Sequence, residues 1–376
     1  MALIWGNFAK VLSACALLLP AATSLYGQGC IIARSNGEAG GPDSQGGYLS
    51  DGEWDFGISY RHQFSFRHFV GPTEQVYRLQ QGTEVMNKIN LMNYSVTYQA
   101  TPRFGITADI PVLLASRRSN NSPYTTTSQG IGDTSFVVTG WLWDPRENSR
   151  GNIQFGIGAS LPTGKDNVSN VVDSFNGKGP QTVIDDYSIQ PGTGGYGIVF
   201  TWNSYKNIPG NQLYFSGSYL ATPQNYNNVL RSATAAAQPL TAYNSISDEY
   251  LMEAGVAHPV RKARGLTALF GLRDEGVPAR DLFGDNLGFR RPGFAISLEP
   301  GLEYYHNGNI FTIQIARAIY RDRTRSVPDV MLGTHGDAAF ADWVWLASWQ
   351  FRYKPDRHTK MQSNHSPATQ QAASHS

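Results

Sequence analysis

Three groups of residues have types and spacings that suggest chemistry. The run Gly192-Thr193-Gly194-Gly195-Tyr196-Gly197 has the glycine spacing of a dinucleotide-binding turn, but that turn cradles a pyrophosphate only between a strand and a helix. An alternating strand follows here, so the glycines read as a loop-to-strand entry that excludes bulky side chains. Asp185-Asp186 and His335-Gly336-Asp337 offer carboxylates and an imidazole able to activate water in a hydrolase. Adjacent aspartates point to opposite faces of an extended chain, and both groups fall in long polar links, so they read as solvated loop residues. His358, His365 and His375 stand in a polar tail without apolar periodicity, which fits a solvated segment better than a metal site. No catalytic residue, metal or cofactor is expected.

A fourth group is more informative. Asp55, Arg61, Asp109 and Glu253, with Arg273, Glu299, Glu303 and Arg352, each occupy the polar parity of an alternating strand. Trp54, Phe56, Ile58 and Tyr60 face one way, and Asp55, Gly57, Ser59 and Arg61 the other. The same period returns through Phe104 to Leu114, Ile153 to Leu161 and Leu266 to Leu272, and ends in Trp343, Trp345, Ala347, Trp349, Phe351 and Tyr353. About twelve such strands of about ten to thirteen residues are expected, long enough to cross a bilayer at a tilt. A soluble sandwich, the rival fold, has strands nearer five or six residues. Links alternate in length: short ones at Ala100 to Pro102, Ser204 to Gly210 and His306 to Asn309, and six long polar ones, in chain order, at Arg67 to Asn87, Ser116 to Gln129, Pro162 to Tyr187, Thr222 to Ser247, Glu275 to Gly293 and Tyr320 to Ala341. The expected fold is all-β, an up-and-down antiparallel transmembrane β-barrel with short periplasmic turns and long extracellular loops. The eight charges then line the lumen, since charges facing lipid near the midplane cost a few kcal/mol.

The chain is divided accordingly. Residues 1–27 read as a signal peptide, with Lys10, the apolar run Val11 to Ala22 and small residues up to Gly27. Residues 28–50, containing Cys30, form a loose lead or plug; 51–353 are the barrel, and 354–376 the disordered tail. With 39 Gly, 19 Tyr, 18 Phe and 8 Trp against 16% charged residues, the composition favours strands and turns. A net charge of +1 gives no basic field for nucleic acid. Expected partners are outer-membrane lipid, small-molecule solutes and the barrel-assembly machinery.

Asn307-Gly308 is the clearest hairpin signal. If His306 faces Asn309, then Glu303 faces Thr312 and Tyr304 faces Phe311. Glu299 and Glu303 become unshared lumen carboxylates, and Arg317 falls opposite Leu298 on the lipid side. That position is costly unless Arg317 reaches the head-groups, so a bulge between Phe311 and Arg317 that turns it inward beside Glu299 is expected.

Gly130-Ile131-Gly132-Asp133, Ser160-Leu161-Pro162-Thr163-Gly164 and Gln190-Pro191-Gly192-Thr193-Gly194 together resemble the outer-membrane channel family linked with the meta-pathway of phenol degradation, over about Asp51 to Tyr353. The resemblance implies a barrel in the cell outer membrane that passively admits small, often aromatic or hydrophobic, compounds. It assigns no functional residue. A hydrolase with catalytic groups in the extracellular loops and a structural or adhesive barrel are the alternatives.

Overall fold

The computed structural model describes residues 48–173, 177, 179–232 and 235–355. The expected leader, Cys30 and the histidine tail lie outside the described residues. The alternating segments form long antiparallel strands: β1 (Trp54–Val70), β2 (Val85–Gln99), β3 (Phe104–Ser119), β4 (Thr134–Trp141), β5 (Gly151–Leu161) and β6 (Gly197–Ile208). The second half contributes β7 (Asn211–Ala221), β8 (Glu249–Pro259), β9 (Leu266–Val277), β10 (Gly293–His306), β11 (Asn309–Asp322) and β12 (Ala338–Tyr353). Each pairs with its sequence neighbours, and β12 returns to β1, from Trp54↔Tyr353 to Phe69↔Ala338, so the sheet closes. Closure pairs the backbone groups without leaving an edge, as a structure in hydrocarbon requires. Among the described residues no helix is long and apolar enough to cross a membrane.

The fold is inside out relative to a water-soluble protein. Phe56, Ile106, Phe155, Phe270, Ile313 and Trp345, from six strands, are 42–58% exposed on the outer wall, while Arg61 and Arg273 are each 1% exposed within. An apolar belt of this extent belongs in lipid.

Several strands outrun their sequence boundaries. β1 continues to Val70 and β2 begins at Val85, so the first long link is shorter than Arg67 to Asn87. β9 continues to Val277, which makes Glu275 a strand residue rather than the start of a loop. β6 continues to Ile208, leaving Pro209-Gly210 as the turn before Asn211. At the β10–β11 hairpin the register has His306↔Asn309, Glu303↔Thr312, Tyr304↔Phe311 and Leu298↔Arg317, with Asn307 and Gly308 at φ 48° and 77°. The expected bulge before Arg317 is not there: the irregularity lies farther up, between Ile296 and Ser297. Arg317 therefore stays on the outer wall, its guanidinium 5.1 Å from the centre of the Trp343 ring. Near the outer end of a strand, cation–π contact and the reach of the side chain toward head-groups lower the cost of that position.

One strand is interrupted. β3 pairs with β4 only from Phe104↔Gly140 to Asp109↔Ser135, and above that with Thr126–Ile131, from Val112↔Ile131 to Arg117↔Thr126. The break falls opposite Pro111, which has no N–H to give to a ladder. Gly132 and Asp133 bulge there, with the Gly132 N–H donating to the Pro111 carbonyl at 2.7 Å.

Candidate functional site: the lumen and the loop folded into it

The bulge has a consequence inside the barrel. The Asp133 carboxylate accepts from the Thr193 N–H at 2.7 Å, the Thr193 hydroxyl at 2.8 Å and the Gly164 N–H at 3.0 Å. The Thr163 hydroxyl donates to the Gly132 carbonyl at 2.7 Å. Gly192 N–H donates to the Lys165 carbonyl at 2.9 Å. Backbones here approach so closely that a Cβ on Gly192 would lie 2.4 Å from the Gly164 oxygen. The three short segments quoted above, at residues 130–133, 160–164 and 190–194, thus meet at one node. The glycine-rich run 192–197 has its explanation in this node and in the strand β6 that follows it.

The node holds the third long loop inside the barrel. Its short 3-10 turn, Tyr187–Ile189, carries Ile189, which is fully buried against Ile89, Leu91, Leu113 and Ala115 on the inner faces of β2 and β3. Burying such a side chain stabilises by about 1.5–3 kcal/mol. Gln190 spans the loop base, accepting from the Val168 N–H at 2.9 Å and donating to the Asp185 carbonyl at 2.9 Å.

This fold overturns the reading of Asp185-Asp186 as solvated. Asp185 is 2% exposed and takes two bonds from the Asn170 amide, at 2.8 and 2.7 Å; burial still pushes its carboxyl up to about 6. Asp186 accepts from Arg291 at 2.9 and 2.6 Å and lies 3.6 Å from Arg117. Burial raises its pKa, but Arg117 and Arg291 outweigh burial and hold the carboxyl well below the usual range. In the sixth long loop, the His335 ring nitrogen donates to the Arg323 carbonyl at 2.6 Å, and Asp337 is buried with His68, at 3.0 Å, and Arg78. The two groups weighed as a hydrolase are thus engaged in separate structural contacts.

The eight charges of polar parity all point inward, but they do not act alike. Arg61 on β1 reaches across to Glu275 on β9 with bonds of 2.8 and 2.5 Å, passing in front of β10, β11 and β12. Glu275 also accepts from Arg273 at 2.8 Å. Arg273 in turn pairs with Glu253 and lies 3.8 Å from Glu299. The expectation that Glu299 is unshared therefore fails: Arg273, two strand positions below Glu275 on the neighbouring β9, serves both carboxylates. At the short-turn end Arg352 lies 3.5 Å from Asp55, and Asp109 accepts from Asn93 at 2.8 Å. Glu303 is 4% exposed and lines the cavity beside Thr312.

The Arg61–Glu275 bridge divides the lumen. Behind it, small side chains such as Ala295, Ala316 and Ala318 leave a void of about 20 Å³. In front lies a cavity of about 460 Å³. It runs from Tyr48, Leu49, Asp55 and Arg352 at the short-turn end to Ser188, Gln190 and Pro191 of the inserted loop. Its wall is mixed, with Leu113, Val137 and Leu251 as well as Asp109, Asn203 and Glu253.

Sequence reasoning passed over Glu275, although it continues the parity of Arg273. It also passed over Asp133, Thr193, Arg117 and Arg291. One signal was available: Ile89, Leu91 and Leu113 are apolar on the polar parity of their strands, which implies that something apolar docks inside.

No family model matches the chain, and no curated protein matches it. Among solved structures, an outer membrane channel from Pseudomonas putida F1 is similar over 83% of this chain and 99% of its own, at 9% identity and a TM-score of 0.52. Looser likenesses are a FadL homologue from Pseudomonas aeruginosa (7% identity, 87% and 100% coverage, TM-score 0.38) and the P. putida toluene transporter TodX (10%, 88% and 100%, 0.39). At these identities the likeness is one of fold: a closed antiparallel barrel of twelve strands, of the outer-membrane type.

Proposed function

We propose that the chain is an outer-membrane channel through which small, aromatic or hydrophobic solutes diffuse passively, delivered to its membrane by the barrel-assembly machinery. The observation that carries this reading is the 460 Å³ cavity, which extends from the short-turn end up to the inserted loop. About 150 Å³ is enough for a benzene ring, so the space suits one or two single-ring compounds. Its mixed wall suits them as well, offering apolar surface to a ring and hydrogen bonds to a substituent. The inserted loop serves as the constriction, and the ion-paired charges set the field that a permeating solute meets.

Reconstitution tests the reading. Folded, heat-modifiable protein in planar bilayers should give discrete conductance steps, and proteoliposomes should swell in isosmotic solutions of small sugars or amino acids. Folded protein with neither property would overturn the channel role.

A further inference from the structure

Three guanidiniums gather around one carboxylate where β3 meets the third, fourth and fifth long loops. Arg117 stands at the upper end of β3, Asp186 in the third loop, Arg231 in the fourth and Arg291 in the fifth. Arg291 engages Asp186 through two bonds and Arg117 approaches the same carboxylate at 3.6 Å. Arg231 lies over the Phe289 ring, 3.2 Å from its centre, and Arg291 is 4.7 Å from that centre. Arg231 also donates to the Thr241 carbonyl at 3.1 Å.

The balance of charge is uneven. Like charges repel strongly in a partly dehydrated site. The effect is visible at Arg231, whose pKa is pulled down to about 10 by burial, then by Arg291 and Arg117, with Asp186 opposing. The side chains of Arg291, Arg117 and Asp186 are 5%, 11% and 16% exposed, so water reaches them only in part, and an anion arriving there meets donors that are already largely desolvated. Guanidiniums in that condition favour the planar, two-oxygen geometry of a carboxylate.

The cluster adjoins the cavity through Ser188. The Ser188 N–H donates to Asp186 at 3.0 Å, and Ser188 lines the cavity. Arg117 donates to the Asn87 side chain at 3.0 Å, which also accepts from the Ser188 hydroxyl at 3.4 Å. Directly below lies the apolar layer of Ile89, Leu91, Leu113 and Ile189. A rim of cations above an apolar layer matches a molecule with an anionic head and a ring.

We propose that this rim is a recognition site for the carboxylate of a small aromatic acid, with Arg231 as the residue that sets the preference for anions. Its use in uptake rests on the channel reading; the binding itself does not. Phe289 positions Arg231 by stacking, and Asp186 holds Arg291 and Arg117 at the spacing that admits the ligand.

Isothermal titration of the full-length protein in detergent, with benzoate, benzyl alcohol and inorganic phosphate as probes, tests the site. Benzoate should bind saturably and at least tenfold more tightly than benzyl alcohol or phosphate. Arg231→Gln should weaken benzoate tenfold or more, and Arg231→Lys should weaken it less, with heat-modifiability unchanged. If Arg231→Gln does not fold, Phe289→Leu, which removes the stacking ring and no charge, should weaken benzoate in the same direction. Equal binding of benzoate and benzyl alcohol, or benzoate affinity unchanged in the folded variants, overturns the proposal; phosphate binding as tight as benzoate overturns its aromatic part. Saturable benzoate binding by protein that conducts no ion would refute the channel reading and leave the site standing.

Discussion

Replacing Asp133 with Ala should loosen the inserted loop without unfolding the barrel. The carboxylate accepts three hydrogen bonds, from two backbone N–H groups and one hydroxyl. Bonds to an ionised group contribute about 1.5–3 kcal/mol each. Asp133 is partly exposed, so water replaces some of that, and a total near 3–4 kcal/mol is the reasonable figure. At about 1.4 kcal/mol per decade this is a roughly 100- to 1,000-fold rise in the ratio of undocked to docked loop. The burial of Ile189 and the Asp186 ion pairs remain, so the loop stays docked most of the time but opens far more often. Single-channel recording should therefore show more frequent or larger openings in Asp133→Ala, with Asp133→Asn intermediate because it keeps one acceptor oxygen. Amide exchange over residues 187–194 should accelerate in the same order. Recordings and exchange rates identical to the parent protein would refute the argument that this node holds the constriction.

Gly192→Ala should lower the temperature at which the folded band is lost on electrophoresis, since its Cβ meets the backbone of Gly164 at 2.4 Å, a clash costing about 1–3 kcal/mol; Gly336→Ala, whose nearest neighbour is 3.6 Å away, should behave as the parent. Arg61→Met should raise conductance by removing the bridge that narrows the lumen, with a stability loss below the roughly 3–5 kcal/mol expected for a dry buried pair, because Glu275 keeps Arg273; unchanged conductance would show that ions do not pass this level. Two loops should answer acid in opposite directions. The Asp185 carboxyl is raised to about 6 in the folded loop, so docking of the third loop strengthens as pH falls through about 6. The His335 imidazole is held below its ordinary 6.5 by burial, so docking of the sixth loop is complete above that value and weakens below it. Limited proteolysis from pH 7.5 to 5 should show protection of the third loop rising and that of the sixth falling; parallel changes would refute both assignments.

How much of this was legible beforehand depended on the kind of interaction involved. The strands and the inward charges follow from period two, because a one-residue slip would put Arg273 or Glu253 into lipid. The hairpin at Asn307-Gly308 fixed its register for a local reason, the positive φ that both residues tolerate. Arg317 was misjudged because its strand parity, which placed it on the lipid side, was overridden by an expected bulge: the neighbour that makes the outward position tolerable, Trp343, is adjacent only after β11 and β12 pair. Asp186 and Arg291 are 105 positions apart, and no local pattern links them. The same holds for Arg61 and Glu275, separated by 214. Glu275 itself lay one step beyond a boundary set too early.

The position of the cavity follows from side-chain size on the polar parity. On β1 and β9 that parity carries Arg61, Gln63, Arg273 and Glu275, long side chains that join across the lumen and close off β10 to β12. On β5 it carries Gly156 and Gly158, flanked by Val137 and Thr139 on β4 and Thr201 on β6. A Cβ on Gly158 would lie 2.0 Å from the Phe136 oxygen, and one on Gly156 would lie 2.2 Å from the Thr201 hydroxyl. Side chains are therefore excluded from this stretch of wall, by neighbouring backbone at Gly158 and by the side chains of Thr201, Val137 and Thr139 at Gly156. The space in front of it stays clear, and the loop anchored at Asp133, in the bulge just before the adjacent β4, is delivered to its upper end. The same strand region thus keeps the cavity open along one wall and supplies the bulge that anchors the loop over its top, which is why the loop and the cavity are aligned.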